Sequence, residues 1–140
     1  MKKCFFLILL LAAGSLCALE PCRLRTNIPL PSGGSGILME NHFVRLLIEP
    51  GRGAGCLQFL DKLTNTNFTT GEQGLRIFSD RLLELSRTLL PELPYAYKII
   101  TETPGKISVE FSKEGAPGFQ YLTFSRRITL TRDSALVEVI

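Results

Sequence analysis

Few residues in this 140-residue chain have types and spacing that could do chemistry. The one histidine is His42. An imidazole can shuttle protons near neutral pH, but a lone histidine beside the start of an extended segment reads first as a structural residue. No metal constellation accompanies it and no Cys-x-x-Cys pair occurs, so no metal or other cofactor is expected. Carboxylates are plentiful: Asp61, Glu72, Asp80, Glu84, Glu92 and Glu102. Glycoside chemistry needs two of them at a defined separation, and the spacing selects no pair. No catalytic residue is therefore assigned. Gly51-Arg52-Gly53-Ala54-Gly55 has the glycines of a phosphate cradle. Such a cradle leads into a helix N-terminus, whereas an extended pattern follows here, so that reading is rejected. There remain Arg76, Phe78, Asp80 and Arg81, grouped within six residues. Arginine and aspartate can hydrogen-bond hydroxyl groups, and the Phe78 ring offers a face for stacking. The plainer alternative is a surface ion pair, which contributes little energetically.

The elements that must position these residues read as β-structure. In 43–49 (Phe-Val-Arg-Leu-Leu-Ile-Glu), Val44, Leu46 and Ile48 form one fully apolar face. This is the signature of a strand with one face on a core. Pro50 cannot donate a ladder hydrogen bond and stops the strand. A wide glycine corner follows, then a second extended stretch over 56–61. Residues 62–67 make a polar turn in which asparagine tolerates left-handed backbone. Ile37, Leu38 and Met39 enter a first short strand. From Tyr95 onward the pattern is again β, with Ile107, Val109 and Phe111 alternating inward. A long strand is expected over 119–131, broken or bulged near 125–127, and a last one over 135–140. Between these, Leu82, Leu83, Leu85, Leu89 and Leu90 fit a short amphipathic helix over 80–90, capped by Ser79 or Asp80 and ended by Pro91 and Pro94. A loop excursion would look the same. Short strands at this spacing predict an all-β, antiparallel β-sandwich.

The N-terminus has the three-part layout of a secretory signal peptide: Met1-Lys2-Lys3, an apolar run, then small residues up to Ala18. The run is short for a membrane span, and no later stretch could cross a bilayer. Cleavage after Ala18 or Cys17 leaves no stable membrane span; an uncleaved anchor is the alternative. Lipidation is disfavoured because Leu16 precedes Cys17 and Pro21 precedes Cys22. The expected organisation is a signal peptide over 1–18, an extended Pro/Gly-rich arm over 19–36 and a sandwich over 37–140. The formal charge of +3 includes Lys2 and Lys3, so the exported remainder is nearly neutral. With no basic patch and interleaved aromatics, nucleic acid is not an expected partner. Export to a periplasmic or extracellular space would place Cys22 and Cys56 under oxidising conditions. They form either a disulfide tying the arm to the glycine corner or two free thiols. Asn67-Phe68-Thr69 matches a glycosylation acceptor, but the lysine-led leader looks bacterial and no use of it is expected.

The stretch from Asn41 through Pro50-Gly51-Arg52-Gly53-Ala54-Gly55 to Asp61-Lys62 and Thr64-Asn65-Thr66-Asn67 resembles the opening of the galactose mutarotase-like sandwich. That family is found in many sugar-processing proteins. The segment from Ile128 to Val139, with its Leu130-Thr131, charged turn and Ala135-Leu136-Val137-Glu138-Val139, is similar to a later paired-strand unit of the same family. The resemblance implies a carbohydrate-binding domain, an oligo- or polysaccharide as partner, and Phe78 with Asp80 as an aromatic–acid pair. It also implies that the residues performing sugar chemistry lie further along than Ile140, so this chain would be a fragment of a carbohydrate-active enzyme. The Asn-Arg segment of the aldose epimerases is not evident. The rival expectation is a small secreted structural or adhesion sandwich without a sugar site.

Overall fold

The structure, a computed structural model, describes residues 18–69, 93–115 and 120–140. Among them are nine strands and no helix: β1 (Arg23–Pro29), β2 (Ser35–Glu40), β3 (Val44–Glu49), β4 (Gly55–Asp61), β5 (Thr66–Asn67), β6 (Ala96–Thr103), β7 (Lys106–Glu114), β8 (Thr123–Thr131) and β9 (Val137–Val139). They form two antiparallel meanders, β1 to β5 and β6 to β9, in each of which every strand pairs with its neighbours in sequence. The inner faces share one core. Ile37, Met39, Leu46, Ile48 and Cys56 come from the first sheet, and Ile107, Val109, Phe111, Ile128 and Leu130 from the second. The architecture is thus the β-sandwich that the alternating pattern predicts. The helix expected over 80–90 lies outside the described residues, as does residues 1–17 of the expected leader.

The turns follow from their residue types. Gly33 adopts φ 87° in the β1–β2 turn, and Asn65 adopts φ 55° after Asp61. The Asp61 carboxylate accepts from the backbone N–H groups of Leu63 and Thr64 and from the Thr64 hydroxyl. These bonds, the Thr64 hydroxyl first, hold its carboxyl below the usual range. At the glycine corner Gly53 has φ 72° and Ala54 φ 47°. Ala54 is a non-glycine residue in the left-handed region, a conformation retained only where the surroundings impose it.

Two expectations change. Residues 19–36 are more than an arm: β1 pairs with β2 from Arg23↔Glu40 to Pro29↔Ser35, so the first sheet begins well before residue 37. The inward residues of β1, Leu24, Thr26 and Ile28, are only half-buried, and its pairing shifts register between Arg25 and Ile28, where Asn27 adopts φ 58°. Second, β8 is not broken at 125–127. It pairs with β7 without a shift from Thr123 to Thr131. The irregularities lie instead in β1, opposite Leu47 and Ile48 in β4, and between Ile99 and Thr101 in β6.

Candidate functional site

Side-chain chemistry converges at one end of the sandwich. The end of β3 delivers Glu49, the corner delivers Pro50, Gly51 and Arg52, and the β1–β2 turn delivers Ser32 to Ser35. The entry to β6 adds Tyr95, Ala96 and Tyr97, completing a cleft of about 670 Å³. Backbone bonds hold this end together: Tyr95 N–H donates to Pro50 O at 2.9 Å and Gly53 N–H to Leu93 O at 2.8 Å. Glu49 is only 3% exposed, and its Oε1 accepts from the Ser32 hydroxyl at 2.9 Å. Tyr95 is buried, whereas Tyr97 is 41% exposed. The exposed guanidinium and serine hydroxyls can hydrogen-bond to, and the Tyr97 ring can stack on, a neutral, hydroxyl-rich ligand above the buried Glu49 and Tyr95. A second groove, of about 490 Å³, is lined by Cys22, Arg23, Leu24, Arg25, Glu102, Thr103 and Pro104. It has no aromatic wall, and so suits such a ligand less well.

The residues expected to bind sugar, Arg76, Phe78, Asp80 and Arg81, lie outside the described residues. The cleft was not legible in sequence because its three walls are separated by long stretches of chain. The glycine corner was the one local signal near it.

Other polar residues have structural work. Asn41 is fully buried. Its Oδ1 accepts from the N–H groups of Phe43 and Val44, each at 2.8 Å. Its Nδ2 donates across the sandwich to Thr131 O at 2.7 Å and Ser134 O at 2.8 Å. Arg126, on the core face of β8, donates from Nη2 to Gly53 O at 3.1 Å and Ala54 O at 3.0 Å. These two side chains clasp one sheet to the other. His42 packs edge-on against Phe43, with ring centroids 5.0 Å apart. Its Nδ1 is buried without a hydrogen-bond partner among the described residues. Lys62 donates to Asn41 O and pairs with Glu20, and the ammonium holds the Glu20 carboxyl below its usual range.

Of the four cysteines, the two among the described residues, Cys22 and Cys56, are free and buried. Cys22 precedes β1 and Cys56 lies in β4, three strands across the first sheet. At about 4.8 Å per strand that is roughly 14 Å, well beyond the ~7 Å over which a disulfide can form. Of the two expected arrangements the structure therefore carries the free thiols. Burial raises both thiols, that of Cys56 to about 12. Among the described residues no three His, Cys, Asp or Glu side chains group as a metal site, and no helix is long and apolar enough to cross a membrane.

No family model and no curated protein matches the chain. One solved structure is similar in fold, a TPR-domain-containing protein from Parabacteroides distasonis. The identity is 12% and the TM-score 0.57, covering 87% of this chain and 27% of the other. The chain thus spans about a quarter of that protein's length. Helical repeats of the tetratricopeptide kind have no counterpart among the described residues, so the likeness is one of β-fold alone.

Proposed function

We propose that this chain is an exported β-sandwich of the galactose mutarotase-like kind that binds carbohydrate at the cleft beside Glu49. The observation that carries the reading is the convergence of Ser32, Ser35, Arg52 and the exposed Tyr97 on one open cleft, over a floor of buried Glu49 and Tyr95. Sugars present hydroxyls that need paired donors and acceptors, and ring faces that need an aromatic or apolar wall. The cleft offers both, whereas a purely structural sandwich has no need to gather them. The proposal is of binding rather than catalysis, as part of a larger carbohydrate-processing system. Export is supported by the N-terminal leader pattern. It is tested by fractionating the producing cells and sequencing the N-terminus of the recovered protein.

The binding test is a glycan array with residues 19–140, followed by calorimetry on whatever class scores. Saturable binding that Tyr97→Ala weakens about tenfold or more, with folding intact, supports the reading. A cooperatively folded protein blind to every glycan class overturns it. That outcome would favour the structural or adhesion alternative, for which the exposed Tyr97, Ile99 and Ile100 on β6 speak.

A further inference from the structure

The shape of the cleft says more than its chemistry. Pockets that hold one small molecule cover roughly 70–90% of its surface. This cleft is open to solvent rather than enclosed, and its space of about 670 Å³ is more than one sugar ring fills. Its floor is buried Glu49 and Tyr95, and its exposed lip is Tyr97. Among the lining residues, a side-chain carbon built at Gly33 or Gly51 would meet nothing within 4 Å. A ligand seated there would be only partly covered, and neither glycine blocks a chain that continues past it. With each ring only partly desolvated, affinity must accumulate over adjacent rings. We infer that the cleft takes an internal stretch of a polysaccharide chain, rather than a free monosaccharide or a chain terminus. This rests on the sugar-binding reading above.

The test uses the glycan class that scores on the array, as a size series from mono- to hexasaccharide. Each member is measured by calorimetry in native form and with its reducing end opened by borohydride. Affinity should rise at least about tenfold from di- to tetrasaccharide, and reduced and native hexamers should bind equally. Gly51 has no positive φ, so Gly51→Leu puts a side chain into open space without backbone strain. It should lower tetrasaccharide affinity about tenfold while the melting temperature stays unchanged. A monosaccharide that binds as tightly as the hexamer, or a hexamer that fails once reduced, would identify an end-recognising site and overturn the inference. Failure of every saccharide overturns the sugar-binding reading itself.

Discussion

Asn41 shows how much a single amide can hold. It uses both ends of its side chain: two accepted bonds shape the β2–β3 turn and two donated bonds reach the β8–β9 turn. Asn41→Ala should cost about 2–3 kcal/mol in urea unfolding, since buried carbonyls lose their donors. Asn41→Asp keeps the accepted bonds but turns an oxygen toward two carbonyls. It should be less stable than the alanine variant at pH 7. Its folded-state pKa would be raised, so it should regain stability relative to the wild type as pH falls toward about 4. The thiols offer a second test. Burial raises Cys56 to about 12 from an ordinary value of 9.0. Below pH 9 its thiol is protonated in both states and its contribution is intact. Between 9 and 12 the unfolded thiol ionises and the folded one does not, so stability falls. Cys56→Ala should flatten that part of the pH–stability curve, and an unchanged slope would refute the assignment. Asn41 was recognisable in sequence as a strand opener. Its partners, 90 and 93 residues away, were not.

Strands that alternate cleanly, such as β3 and β7, were readable because one face is buried and the period is two. β1 alternates too, but its inward residues Leu24, Thr26 and Ile28 are only half-buried and one of them is polar, so the stretch reads as an arm. The break expected in β8 came from two adjacent arginines, which look unfit for a sandwich strand. The pleat resolves them. Arg126 turns inward to the corner carbonyls, and Arg127 turns outward to Glu110, 2.6 Å away. Arg126→Met should therefore destabilise the fold by about 2–3 kcal/mol, leaving carbonyls unpaired, whereas Arg127→Met should change it by less than about 1 kcal/mol. Chemical denaturation of both variants separates the two roles. Among the described residues β6 is one of the two outer strands of its sheet and exposes Tyr97, Ile99 and Ile100. Lys98 and the register shift at 99–101 blunt that edge. Lys98→Val should raise the aggregation rate, seen by light scattering, with little change in melting temperature.

At the scale of the molecule, fold class was legible and the site was not. A fold class needs only local period and turn residues. The cleft needs residues near 32, 49 and 95 to meet, and only the packing of two sheets brings them together. Each sheet is a meander whose strands pair with their sequence neighbours, so each can form through short loops. The side-chain bonds that clasp one sheet to the other span 72 to 93 residues. Closing such long loops is entropically costly and comes late. The two halves should therefore fold as separate hairpin stacks that dock afterwards. Asn41→Ala should speed unfolding while leaving the refolding rate nearly unchanged, a φ-value near zero in stopped-flow kinetics. The clasp would then act as a latch on the finished protein, setting how long it stays closed and not how quickly it is made.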